Sequence, residues 1–583
     1  MIEPGISECP SVSMPSANPQ GKWRWRLALA GQFVFVFAIL ILSGPGRIDI
    51  VDGQTRYEVA RSLIDHGDSI IRDPEAWFAV YEGRDGDKYT NYRFPQTGAG
   101  LLAILAADAT GPVSEMRRHF FFTLISPFAA AILALVYSMW FRHLGYSPAA
   151  SLAWATAGIF CTPSWYYGTS TFDDMLGTTA VVLAVAVAWM CRDKRPILGA
   201  VVSGLVLGWA VNCKPPLGFF VLPALAAGYR PQLTLRRQLL PAGIVMAGIV
   251  LGVLAFKLYD SYKFPPGSAE PFETYAKIYG DIWTWNPIPG LANLALSPTA
   301  GVLWYCPTIV LSFLGWRRWK TAWARFCLAT LAAAALFTLF ICFLPFFKGE
   351  PTWGPRYLTP VFALAWIFVP AAVAVHGRLF VNTVLGAGVV VQLLALSTDP
   401  QRLFFETPLP INYYNSHPWF GFHPAFSHLL QRPGEIIRTL SSTERAERYT
   451  TAPVPTHAGR FVTPLLVNLP SSVGLMSAPQ GIGSPIAFMW DFQFGSGLRA
   501  QVMFRDAYLR NHIMSSFRPW WASQWYLPED QRPVDLVRTL LLLLVLSALG
   551  LGMMIGSVKA ISCPAAEIDQ PSHWQCAVAA PGP

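Results

Sequence analysis

Twelve hydrophobic runs recur along this chain, and most approach the roughly 20 apolar residues needed to cross a hydrocarbon core about 30 Å thick. They are Leu27–Ser43, Phe120–Phe141, Ala149–Tyr166, Met175–Met190, Ile197–Val211, Leu217–Ala227, Leu240–Leu258, Pro298–Leu314, Ala322–Phe347, Tyr357–Val375, Leu379–Ser397 and Val534–Ile555. The pattern predicts an all-α polytopic membrane protein with about 12 transmembrane helices. Of the 583 residues, 53% are hydrophobic and only 13% charged, which excludes an ordinary soluble enzyme.

The net charge of +9 does not point to nucleic acid, because the basic residues sit in short loops between the runs. With the N-terminus placed in the cytoplasm, the inner loops carry Lys22/Arg24/Arg26, Arg142/His143, Arg192/Lys194/Arg195, Arg230/Arg236/Arg237, Arg317/Arg318/Lys320 and His376/Arg378. That asymmetry predicts both termini inside and the large loops outside. Lys22–Arg26 followed by Leu27–Leu42 also resembles a signal peptide, but Ser43-Gly44-Pro45-Gly46 is a poor cleavage site. A retained anchor is the expectation. Six of the nine cysteines lie in or beside the runs, and the large outer segments contain none, so no disulfide framework is expected there.

The chain divides into a cytoplasmic tail (1–26), a transmembrane module (27–397), an extracytoplasmic domain (398–533), a last helix (534–556) and a disordered cytoplasmic tail (557–583). The first outer loop, 44–119, is too long for a simple connection. Within it Val51–His66 reads as an amphipathic helix stopped at Gly67, with Val51, Tyr57, Ala60, Leu63 and Ile64 near one face and Arg56, Glu58, Arg61 and Asp65 elsewhere. Tyr81–Tyr92 reads as a hairpin around Asp85-Gly86, and Gln96–Ala107 as a short interfacial helix. The second outer loop, 260–297, is rich in Trp, Tyr and Pro, and serves as an interfacial belt or as a cover for a lipid or sugar. In 398–533, Phe461–Val467 and Gly497–Phe504 suggest strands of a small mixed domain.

Charges near membrane spans are costly, so their clusters are the best clue to chemistry. Asp49 and Asp52 follow the first run; Asp52 suits a helix N-cap as well as a catalytic carboxylate. Lys88 and Arg93 close the first loop, where Arg93 either snorkels or binds a phosphate through its fork of donors. Asp173 and Asp174 precede another run, as helix caps, metal ligands or sugar-orienting groups. Lys214 follows a helix C-terminus, where a cation is favoured in any case. Arg356 is more telling. It stands at the outer, N-terminal end of a run, against both the helix dipole and the inside bias of positive charge. A carboxylate set facing cations suits general-base activation of a hydroxyl with a phosphate as leaving group.

In order and membrane sidedness these motifs resemble the GT-C superfamily of membrane glycosyltransferases, including protein O-mannosyltransferases and lipid A aminoarabinose transferases. The resemblance covers most of 27–375. It rests on Asp52-Gly53-Gln54-Thr55-Arg56-Tyr57-Glu58-Val59-Ala60-Arg61-Ser62-Leu63, on Tyr89–Gly100, Leu144-Gly145-Tyr146-Ser147 and Gly204–Pro216, and on Trp353-Gly354-Pro355-Arg356-Tyr357-Leu358. It implies a GT-C-like fold with juxtamembrane helices in the first loop, and Asp52 as catalytic carboxylate. Arg93, Lys214 and Arg356, with Lys88, would contact donor phosphate; Asp173, Asp174 and Tyr357 would orient sugar or acceptor.

The donor implied is a polyprenyl-phosphate-linked sugar, and the acceptor a cell-envelope glycan, lipid or protein, with inverting transfer at the outer face of a bacterial inner membrane. No cofactor is required by this reading. The chain departs from a common family pattern in having glycine, not a second acid, after Asp52, so a divalent metal stays an open possibility. The rival expectation is a transporter or flippase of lipid-linked sugars, using the same cations for binding alone. A structural scaffold of the envelope would leave the outer charges replaceable.

Overall fold

A computed structural model describes residues 19–72, 79–230, 232–266, 286–344, 347–349, 352–398, 422, 427–441, 518–524, 532 and 534–561. Eight of the twelve runs fall in helical segments long and apolar enough to cross a membrane, from Gly21–Ser43 to Leu536–Lys559, one of them (Glu115–His143) with a turn at 123–124. The other four are broken into shorter pieces, and each contains proline: Pro163, Pro223, Pro307 and Pro370. Proline removes a backbone donor and crowds the preceding turn, so the helices restart there, in places as 3₁₀ segments such as Trp366–Ala372. Among the described residues, eight segments are long enough to span, and Pro148–Phe160, Pro215–Gly228 and Arg356–Ala372 are shorter apolar helices.

The helices are α1 (Pro19–Ser43), α2 (Val51–Asp65), α3 (Phe94–Ala109), α4 (Glu115–Phe122), α5 (Ile125–His143), α6 (Pro148–Phe160), α7 (Ser164–Tyr167), α8 (Asp174–Cys191), α9 (Pro196–Cys213), α10 (Val221–Gly228) and α11 (Leu235–Lys263). They continue as α12 (Ile288–Leu296), α13 (Val302–Tyr305), α14 (Ile309–Ala322), α15 (Ala324–Cys342), α16 (Thr359–Ala365), α17 (Val373–His376), α18 (Arg378–Ser397), α19 (His428–Ser441), α20 (Trp520–Gln524) and α21 (Leu536–Ile561). In the 44–119 loop β1 (Val80–Glu82) pairs antiparallel with β2 (Lys88–Thr90), Tyr81 opposite Tyr89. The turn between them has positive φ at Asp85 and Gly86, as Asp-Gly predicts.

Glycines let two helix pairs approach closely, in the manner of small-residue packing in lipid. A Cβ on Gly31 of α1 would lie 2.6 Å from the Gly550 carbonyl of α21, so the last helix packs on the first. In α9, Gly204 and Gly208 face Gly248 and Gly252 of α11, where added Cβ atoms would lie 2.3–2.9 Å from backbone. Asn212, one turn further along α9, donates to the Gly252 carbonyl at 2.6 Å. This seam fixes the end of α9, and with it Lys214.

The main core surrounds α5, with Tyr137, Trp140 and Phe141 buried against α8, α15 and α16. Buried Gln32 is satisfied: its amide donates to Leu152 O at 3.2 Å and Thr156 Oγ1 at 3.1 Å, and its carbonyl accepts from Ser138 at 2.7 Å. The six cysteines among the described residues are all free.

Outside the spans, α2 and Gly67 (φ +77°) follow the expected helix and stop. Its polar side is only partly solvated: Asp65 is exposed, but Arg56 and Glu58 are buried like Tyr57, with α3 packed on the helix and the turn before α8 supplying Asp173 to Arg56. Of the 398–533 segment, only 398, 422, 427–441, 518–524 and 532 belong to the described residues. Its described parts dock on the transmembrane module: Trp520 donates through its backbone to Gly44 O at 2.9 Å and through its indole to Ile41 O at 3.0 Å. The strands expected at 461–467 and 497–504, and Trp283 and Trp285 of the 260–297 loop, lie outside the described residues.

Candidate active site

Four carboxylates converge where α2, the turn before α8, the end of α9 and the strap before α16 meet. Asp49 is the anchor. Its Oδ1 accepts from the Thr171 amide at 2.9 Å, Thr171 Oγ1 at 2.6 Å and Ser170 Oγ at 3.3 Å, while Oδ2 pairs with Arg518 at 3.0 Å. With both oxygens engaged, Asp49 ties the start of α2 to the turn before α8. Gly53 makes the same junction tight: a Cβ there would sit 2.4 Å from Thr171 Oγ1. The glycine after Asp52 is thus a packing requirement of the Asp49–Thr171 clasp.

Asp173 and Asp174 do not act as side-chain caps, although Asp173 stands at the N-cap of α8. Cations hold them instead. Arg56 Nη2 bonds Asp173 Oδ2 at 3.0 Å, and Lys214 Nζ approaches Asp173 Oδ1 at 3.5 Å and bonds Asp174 Oδ1 closely. Arg356 Nε lies 3.5 Å from Asp174 Oδ2 and its Nη1 3.9 Å from Asp52 Oδ2. Burial opposes the charge of Asp173, yet Arg56, Lys214 and Arg356 together hold its carboxyl below the usual carboxylate value. Arg56 is in turn raised: burial works against it, and Asp173 with Tyr92 and Asp52 outweighs that cost.

Aromatic rings complete the cation cradle. Arg56 stacks 3.9 Å over Tyr92, Arg356 lies 4.1 Å over Phe172, and Lys214 is 4.9 Å from the Tyr357 ring centre. Tyr357 OH accepts from Arg356 Nη2 at 3.1 Å. Gly354 has φ +62° with the face of Tyr305 2.4 Å from where a Cβ would be, so the Trp353–Arg356 strap turns only with glycine there.

Asp52 is different from its neighbours. Helix α2 starts at Val51 with Ile50 as N-cap, so Asp52 lies inside the first turn and makes no capping bond. Its one ion pair is the long contact to Arg356, and no donor among the described residues hydrogen-bonds it. Its side chain is 11% exposed, against 7% and 2% for Asp173 and Asp174. Arg93 is the counterpart among the cations. It is the N-cap residue of α3, with its guanidinium 4.1 Å over Phe256 and Nε buried without a hydrogen-bond partner among the described residues. Burial lowers its proton affinity, while Asp260 and Asp173 raise it.

Lys263 fixes the approach of the hairpin. Its buried ammonium donates to Thr90 O at 2.9 Å and Tyr92 O at 3.0 Å and pairs with Asp260 at 3.2 Å. Gln96 of α3 donates to Thr171 O at 2.6 Å, tying that helix to the same turn.

The structure therefore gathers Asp52, Asp173, Asp174, Lys214, Arg356 and Tyr357, with Arg93 within electrostatic reach. Lys88 stands apart as an exposed residue of β2, paired in the ladder with Glu82. Sequence reasoning missed Arg56 and Arg518. Arg56 was signalled by its four-residue spacing from Asp52, which puts both on one helix face. No group of three or more His, Cys, Asp or Glu side chains among the described residues is arranged to hold a metal ion.

No family model matches the chain, and no curated protein does. Among solved structures the chain is similar to the oligosaccharyltransferase of Archaeoglobus fulgidus in the apo form, with TM-score 0.39 and 10% identity over 70% of this chain and 63% of that one. It is also similar to the archaeal oligosaccharyltransferase AglB from Archaeoglobus fulgidus in complex with an inhibitory peptide and a dolichol-phosphate, with TM-score 0.38 and 12% identity over 68% and 59%. The chain spans about three fifths of the length of these proteins.

Proposed function

We propose that the chain is an integral membrane glycosyltransferase that moves a sugar from a polyprenyl-phosphate carrier to a hydroxyl of a cell-envelope acceptor at the outer face, with inversion. One observation carries the reading. In a cluster whose other charges are matched at hydrogen-bond or ion-pair distance, Asp52 is a carboxylate without a hydrogen-bond donor among the described residues, and Arg93 is a cation without a carboxylate at ion-pair distance among them. A neutralised frame with one open base and one open cation suits a reaction that takes a proton at one place and releases an anion at another.

In this reading the acceptor oxygen attacks the anomeric carbon as its proton passes to the Asp52 carboxylate. The bond from that carbon to the phosphate oxygen breaks on the opposite face, and the electron pair leaves with the phosphate. Arg93, Lys214 and Arg356 receive the new charge. A cation about 4 Å away contributes up to roughly 4 kcal/mol at an effective dielectric near 20. Only the part gained in the transition state speeds the reaction, about tenfold per 1.4 kcal/mol. Asp173 and Asp174 keep Lys214 and Arg356 in position, and Tyr357 presents a hydroxyl beside them. Asp52→Asn should lower transfer by about 10²- to 10⁴-fold, the usual contribution of a general base. Full activity in that variant would remove Asp52 from the mechanism.

A further inference from the structure

A second group of basic side chains gathers beside the Trp353–Arg356 strap. Lys348 is 7% exposed, yet no carboxylate or other acceptor among the described residues bonds its ammonium. Its carbonyl accepts from the Arg356 amide at 3.2 Å, which ties the two residues together through the backbone. From α19 come His428, 3% exposed with Nδ1 unbonded among the described residues, and Arg432, fully buried with its guanidinium 5.4 Å over Trp353. Trp353 is itself 6.4 Å from the His428 ring. The start of α19 is pinned there: Ser427 Oγ donates to Pro298 O at 2.5 Å, and the Leu429 amide to Tyr305 OH at 3.4 Å.

We propose that Lys348, His428 and Arg432 form a second anion subsite beside Arg356, which takes a phosphate or carboxylate of the substrate other than the leaving phosphate. The inference rests on the glycosyltransferase reading above. A buried ammonium without an anion is expensive for a folded protein, and such a cost persists where a ligand relieves it. Consistent with that, burial lowers the Lys348 ammonium to about 7, and burial with the charges of Lys348 and Arg432 keeps His428 well below its ordinary value. The same chemistry has two sources: the second phosphate of a diphosphate-linked donor, or an acid group carried by the acceptor.

The test uses the full chain in detergent with three probes: polyprenyl monophosphate, polyprenyl diphosphate, and inorganic phosphate added to protein saturated with the monophosphate. Wild type is compared with Lys348→Met and Arg432→Gln. If the donor is the source, the diphosphate binds at least tenfold more tightly than the monophosphate, and both variants abolish the difference. If the acceptor is the source, the two lipids bind alike and both variants weaken inorganic phosphate at least tenfold. Wild-type affinities for all three probes in both variants would overturn the subsite. Failure of wild type to bind the monophosphate lipid would instead count against the donor reading, and inorganic phosphate titrated on the variants would still judge the cluster. Lys348→Met should also melt no lower than wild type without ligand, whereas a purely structural lysine would melt lower.

Discussion

Replacing Arg56 by methionine tests whether the cation frame is a structural unit. The Arg56–Asp173 contact is 3.0 Å with both side chains under a tenth exposed. At that 3.0 Å separation and an effective dielectric near 20, the attraction is about 5 kcal/mol. Lys214, 3.5 Å away on Asp173, remains in the variant and screens part of the loss. Removing one partner of a buried pair typically costs about 3–5 kcal/mol, because the remaining charge is left uncompensated. Arg56→Met is therefore expected to lose about 3 kcal/mol. The double variant with Asp173→Asn should recover most of that, since no net charge is then buried. Unfolding free energies of the four proteins, from denaturant titrations in one detergent, close the cycle. A loss under about 1 kcal/mol for Arg56→Met, or no recovery in the double variant, would refute the pairing argument.

Other outcomes follow from single features. Gly53→Ala places a methyl 2.4 Å from Thr171 Oγ1, so a loss of about 1–3 kcal/mol with a matching fall in transfer rate is expected; unchanged melting would contradict the clasp. Lys348 has a folded value near 7, below the ordinary lysine value of 10.5, so the unfolded chain binds more protons between those limits. Stability should therefore rise with pH from about 7 towards 10.5, by up to about 1.4 kcal/mol per unit from this group. Lys348→Met should flatten that rise; identical pH profiles would refute the assignment. Since Arg56, Lys214 and Arg356 already neutralise the carboxylates, chelation with EDTA is expected to leave transfer within about twofold. A loss restored by added divalent metal would show that an ion, not the cations, completes the site.

Much of this was legible in the chain because the signals are local. Eight apolar runs became segments long enough to span, and Asp85-Gly86 became the hairpin turn. The four broken runs contain Pro163, Pro223, Pro307 and Pro370, but proline alone did not mark them, since Pro127 and Pro241 lie inside α5 and α11. Asp52, Asp173, Asp174, Lys214 and Arg356 stood out because charge beside an apolar run is costly. What sequence could not convey was pairing across distance. Arg518 reaches Asp49 over 469 positions, and Lys348 meets His428 across a stretch of the second half of the chain. Arg56 was hidden for another reason: on a helix expected to face water, an arginine is unremarkable, and only the docking of α3 and the turn before α8 makes it a buried partner. The capping role that suited Asp173 in sequence gave way to Arg56 and Lys214, because a buried cation gains more from a carboxylate than a solvated helix end does, whereas Asp52 misses its cap because α2 starts one residue earlier, at Val51.

The most direct test is turnover. Purified protein is given a panel of polyprenyl-phosphate sugars and a cell-envelope extract, and released polyprenyl phosphate is measured for wild type, Asp52→Asn and Arg356→Ala. The account predicts release coupled to sugar transfer in the wild type and its loss in both variants. Tight binding of a donor with no release across the whole panel would contradict it and make the chain a carrier of lipid-linked sugars.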